Sequence, residues 1–129
     1  MARTKQARNK KAESGYTDRI ITEKCGLFKQ AGRLAKCCLV YPNTYHSGMS
    51  NLGFQTVYRY ANRVDGVSCE RAFLPDRKIS GKRIQSLETR TDLGSFDIVL
   101  FSVSFENDFI HLASLLQDSG IPLRSGKRD

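Results

Sequence analysis

The stretch "FDIVLFSVS", residues 96–104, constrains the fold more than any other part of this chain. It is nearly all apolar and rich in β-branched and aromatic residues, the composition of an interior strand in a parallel sheet. Such a strand requires a neighbour on each edge and cover on both faces.

Other segments supply candidates for those neighbours. "CCLVYP", Cys37–Pro42, is a short apolar run closed by proline, and "VSCERAFLP", Val67–Pro75, reads as a further strand. Between them Ser50 can cap a helix whose apolar Phe54, Val57, Tyr58 and Ala61 fall at helical spacings, with Asn62 and then Asp65-Gly66 ending it. A second helix follows residue 104, with Phe109, Leu112, Ala113 and Leu116 on one face. Glu106 and Asp108 occupy its first turn, where the helix dipole favours acids, and Gly120 lies beyond its end. "IPL", from Ile121, reads as the start of a fourth strand. The alternation predicts an α/β fold with a mostly parallel sheet and right-handed crossovers. The chain stops in "RSGKRD" just as that last strand should enter the sheet, so the expectation is an architecture left unfinished.

Outside this block the composition changes. Arg3, Lys5, Arg8, Lys10 and Lys11 crowd the first dozen residues with no acid among them, so residues 1–19 read as a disordered basic tail. Residues 20–35 form a lead-in whose apolar residues are interrupted by Gly26 and Gly32, and residues 125–129 are a C-terminal tail. The net charge of +8 favours polyanionic partners. No apolar run follows the basic start and none is long enough to span a bilayer, so a cytoplasmic, reducing setting is expected. In that setting Cys25, Cys37, Cys38 and Cys69 are thiols.

Few residues offer chemistry. Cys37 and Cys38 are adjacent on a strand and point to opposite faces, and neither CxxC nor HxxxH occurs, so metal binding is not expected. His111 reads as a boundary residue of its helix. His46 is better placed, in a turn at the C-terminal end of a strand where open α/β sheets bind ligands, although a structural hydrogen bond within the turn is the other reading. Phosphate-loop motifs are absent, while "SGKR" occurs at residues 80–83 and again at 125–128. The turn places Asn43, Tyr45, His46, Ser47, Gly48, Ser50, Asn51 and Gly53 around a helix N-terminus, where free N–H groups welcome polar or anionic atoms. Ser104, at the end of its strand, joins them as a candidate ligand contact. Gly53, costly within a helix, fits close approach of a ligand or tight helix-to-strand packing equally well.

The runs "LVYPNTYHSGMSNLGFQTVY", "CERAFLPD", "SLETRTDLGSFDIVLFSVSFEND" and "LLQDSGIPL", in that order, resemble the N-terminal region of a family of radical S-adenosylmethionine proteins. The resemblance spans about residues 34–124. It implies an incomplete Rossmann-like or flavodoxin-like, cobalamin-binding-like domain over residues 36–124 that precedes a catalytic barrel. That barrel carries CxxxCxxC, whose three thiolates hold a four-iron, four-sulfur cluster that binds S-adenosylmethionine. This chain has no such spacing, so the resemblance implies a non-catalytic region whose partner is the missing barrel. The cobalamin signature DxHxxG also fails, since Asn43 lies three before His46 and Gly48 only two after. Cobalamin is therefore not an expected cofactor. The rival expectation is a stand-alone basic module that binds nucleic acid through its tail and the "SGKR" loops.

Overall fold

The computed structural model describes residues 34–75 and 83–128. The expectations for the basic tail, for most of the lead-in and for most of the "SGKR" stretch at 80–83 concern residues outside these.

β1 (Ala35–Tyr41) leads into a one-turn helix α1 (Tyr45–Met49), and α2 (Leu52–Ala61) follows. Then come β2 (Val67–Phe73), a 3₁₀ turn (Leu93–Ser95), β3 (Ile98–Phe101), α3 (Asp108–Asp118) and a second 3₁₀ turn (Ser125–Lys127). The three strands form one parallel sheet in the order β2-β1-β3. This is an open α/β sheet with flanking helices, in keeping with a partial Rossmann-like fold.

The period-two alternation of the strands divides the core in two. Cys37, Leu39, Tyr41 and Cys69 face α2 and pack on its Phe54 and Tyr58. Cys38, Val40 and Ala72 face the other way, onto Leu115 of α3 and onto Ile84 and Leu93. Phe54 meets the rings of Tyr41 and Phe73 at centroid distances of 5.5 and 5.3 Å. β1, buried on both faces, is thus the interior strand.

The expected interior strand at 96–104 is a correction. β3 is only Ile98–Phe101, and it lies at the sheet edge. Val99 and Phe101 pack against the α3 side, whereas Ile98 and Leu100 remain 46% and 40% exposed on the α2 side. The reason is topological: β2 takes one side of β1 and β3 the other, and α2 covers only the β1 and β2 part of its face. The expected fourth strand is also absent among the described residues. Ile121 packs into the core beside Leu93, while Leu123 is exposed.

Of the expected helix faces, Phe54, Tyr58 and Leu116 are buried, but Val57 and Phe109 are exposed: α2 meets the sheet through Phe54 and Tyr58, and α3 through Leu115 and Leu116. Asn51 caps α2, its Oδ1 accepting from Phe54 N at 2.9 Å. Ser50, the expected cap, instead ends α1 and donates its hydroxyl to His46 O at 2.7 Å.

The far edge of β2 is closed by residues 84–92. Leu87 N donates to Arg71 O at 2.6 Å, and Ser86 N to Thr91 O at 2.9 Å. Arg90 turns this segment with φ of 60°. Covering an edge in this way removes a row of free pairing groups. Within the described residues no helix is long and apolar enough to cross a membrane.

The buried thiols carry a pH consequence. Burial, then the nearby Glu88 and Glu70, raises the Cys38 thiol well above 9.0. Burial and Glu88 likewise raise Tyr58 above 10.0. The hydrogen bond shared by Cys37 and Cys69, then burial, raises Cys69, and the same bond lowers Cys37. Above about pH 9 the unfolded chain releases protons that Cys38 and Tyr58 retain when folded, so stability must fall as pH rises. Urea midpoints measured under reducing conditions should decline steadily above that pH and stay level from 7 to 8. A midpoint unchanged at pH 10.5 would contradict this.

Candidate functional site

β1 leads to β2 on one side and is flanked by β3 on the other, so the chain reverses direction across the sheet at the C-terminal ends of β1 and β3. In open α/β sheets this switch point is where ligands sit. The turn after β1 and Ser104 after β3 both lie there.

Most polar groups of the turn are engaged with one another. Asn43 Oδ1 accepts from Thr44 N at 2.8 Å, and Asn43 O accepts from Leu74 N at 2.9 Å, tying the turn to the end of β2. Thr44 caps α1 through Ser47 N and lies 3.2 Å from the Ser47 hydroxyl. The Tyr45 ring stands edge-on to Phe73 at 5.2 Å, and the exposed His46 ring lies 6.0 Å from Tyr45.

Ser104 is the junction between the two strand ends. Its Oγ accepts from Tyr41 OH at 3.3 Å and from Asn51 Nδ2 at 3.2 Å, so β1, β3 and the α2 cap meet at one hydroxyl. Behind it the buried carboxylate of Asp108 accepts from Ser104 N at 3.0 Å and from Phe105 N at 2.9 Å. His111 Nδ1 lies 3.0 Å from Pro42 O and links α3 to the start of the turn. Sequence reasoning missed Tyr41 and Asp108 as members of this cluster. A tyrosine closing an apolar strand and an acid opening the facing helix were the available signals.

The two glycines differ. Gly53 is exposed, and a Cβ there would meet only Asn51 Oδ1, at 3.2 Å. The close approach is at Gly48, where a Cβ would lie 2.9 Å from Phe73 Cδ1 and 3.1 Å from Tyr41 Cβ. Gly48→Ala should therefore cost about 1–3 kcal/mol through overpacking, read as a lowered urea midpoint. Gly53→Ala should be neutral or slightly stabilising.

The described residues do not fit an iron–sulfur cluster. Cys37 and Cys69 are paired in register on one sheet face and Cys38 points to the other, all three buried. Among the described residues no three metal-ligating side chains converge. Nor do the turn residues fit a cobalt-ligating histidine backed by a carboxylate, since Asn43 Oδ1 is bonded to Thr44 N.

Polar chemistry is concentrated instead between β2 and the 84–92 segment. Glu88 accepts at Oε2 from Arg71 N (2.7 Å), and at Oε1 from Arg71 Nε (2.8 Å) and Tyr58 OH (3.0 Å). The Arg71 guanidinium lies over the Tyr58 ring at 4.4 Å. Glu70 accepts from Thr89 N and Thr89 Oγ1 at 3.2 and 2.7 Å. These contacts hold the strap on the sheet and are structural.

Comparison with curated proteins and with solved structures finds no significant match. The model of the family described as radical SAM proteins, N-terminal, matches residues 53–129, more than half of the chain. The match begins in the first turn of α2 and takes in β2, the strap, β3 and α3. A parallel sheet assembled from these elements around β1 agrees with that assignment, and the chain belongs to the N-terminal family of radical SAM proteins.

Proposed function

We propose that the chain serves as a non-catalytic N-terminal region of a radical S-adenosylmethionine iron–sulfur protein. On this reading the β3 side of the sheet packs against the catalytic barrel, and the crevice at Ser104 faces a ligand or the barrel itself. The iron–sulfur cluster and S-adenosylmethionine belong to the barrel.

The observation that carries the reading is the contrast between the two sheet edges. β2 is strapped by residues 84–92, whereas β3 has no second strand beside it among the described residues. Ile98 and Leu100 are exposed on its α2 side, and Phe105, Phe109 and Ile110 are exposed in the segments that follow β3. Apolar groups gathered along one edge favour association with another protein surface.

Sedimentation velocity with a separately produced radical S-adenosylmethionine barrel of the same family tests this. The wild-type chain should co-sediment with the barrel. Leu100→Glu, which alters an exposed residue and leaves the fold intact by circular dichroism, should weaken association by about thirty-fold or more. Equal association of both proteins, or none by either, would reject the reading.

A further inference from the structure

The outer surface of α2 carries a second feature, unrelated to β3 and beyond the reading above. A groove of about 470 Å³ runs between this helix and β2, lined by Leu52, Gln55, Arg59, Tyr60 and Arg63 and floored by Arg71. Among the described residues no aspartate or glutamate lines it.

Its charges are of two kinds. Arg71 is neutralised by Glu88 at 2.8 Å in a pair almost wholly withdrawn from water. Arg59 and Arg63 have no ion pair among the described residues; Arg59 lies in the last turn of α2 and Arg63 in the turn just beyond its end, both exposed. Beside them Tyr60 is 61% exposed and Leu52 80% exposed, and the Arg63 guanidinium lies 5.7 Å from the Tyr60 ring centroid.

Two guanidinium groups without ion partners would by themselves describe an ordinary solvated helix end. Here they are joined to an exposed aromatic ring and apolar surface within one groove that no acid among the described residues lines, on a chain of net charge +8. The ligand that presents regularly spaced anions together with flat, stackable rings is a nucleic-acid strand. Arginines take the phosphates while an aromatic ring accepts a base.

We infer that the α2 groove binds single-stranded nucleic acid, with Arg59 and Arg63 on successive phosphates and Tyr60 stacking a base. Phosphate contacts of this kind release counterions, so affinity falls as salt rises. Base identity is not read, because stacking tolerates every base.

The test is fluorescence anisotropy of a labelled oligouridylate with the full chain across a range of sodium chloride concentrations. Wild-type protein should bind with a steep salt dependence. Arg59→Glu with Arg63→Glu should lower the slope of log affinity against log salt by about 1.4, two single-strand phosphate contacts. Tyr60→Ala should weaken binding about ten-fold at constant slope. All three residues are exposed, and circular dichroism checks that the variants remain folded. Arg124→Glu with Lys127→Glu, an equal charge change elsewhere, should leave affinity within about two-fold. Unchanged binding by the groove variants, or equal loss in both double variants, would overturn the proposal by placing binding in diffuse charge or the basic N-terminus. So would wild-type binding to phosphatidylserine vesicles without binding to the oligonucleotide. Loss of oligonucleotide binding leaves barrel association through Leu100 unaffected, so the two proposals fail separately.

Discussion

Glu88→Ala should destabilise the protein by about 3–5 kcal/mol, the cost of leaving one member of a buried ion pair alone. Glu88 and Arg71 side chains are 1% and 5% exposed, so water cannot replace the lost partner. The same carboxylate also receives Arg71 N and Tyr58 OH, and both would be left without their acceptor. A domain of this size has a total stability of about 5–15 kcal/mol, so the variant should be largely unfolded in modest urea. Glu88→Gln separates charge from shape. One amide oxygen can still accept from Tyr58 and Arg71 Nε, but the amide nitrogen then faces the Arg71 N–H as donor against donor. Its loss should be intermediate. Urea midpoints for wild type, Gln and Ala falling in that order would support the strap as the lock on β2, and an alanine variant within 1 kcal/mol of wild type would refute it.

The strap is also where the sequence was least readable. Binary patterning finds β1, α2, β2, β3 and α3 because each leaves a periodic apolar trace. Residues 84–92 leave none: beside the buried Ile84 and Leu87, which follow no regular period, their contribution comes from Ser86, Glu88 and Thr89, polar groups that become structural only once Glu70 and Arg71 are alongside. The one hint was "ER" inside an otherwise apolar strand, two charges that could be buried only with partners.

β3 misled for a different reason. Its uninterrupted apolar run suits a strand covered on both faces, and the structure covers only the face bearing Val99 and Phe101. The composition reports the environment the strand is suited to, and the described residues supply half of it. That mismatch is what links the fold to the proposed barrel contact. The turn after β1 does follow the C-terminal end of a strand, as expected of its polar residues. Their use in holding one another could not be read, because capping by Asn51 rather than Ser50 depends on a one-turn helix that leaves no pattern in five residues.

Asp108 gives the second large effect, at the switch point itself. Its carboxylate is buried and its Oδ2 receives the N–H groups of Ser104 and Phe105, the first residues to turn away after β3. Hydrogen bonds to a charged acceptor contribute about 1.5–3 kcal/mol each. Both donors lie near the surface, where water can recover part of the loss, so Asp108→Ala should cost about 3 kcal/mol in all. Asp108→Asn retains an acceptor oxygen and should lose about half as much. The local consequence distinguishes this from a general loss of packing. With the turn released, Ser104 should leave Tyr41 OH and Asn51 Nδ2, and the Ser104 and Phe105 amides should exchange with solvent much faster than those of β1. If the alanine variant loses stability while those two amides keep their wild-type protection relative to β1, then Asp108 does not position the Ser104 junction, and the crevice between β1 and β3 is held together by something else.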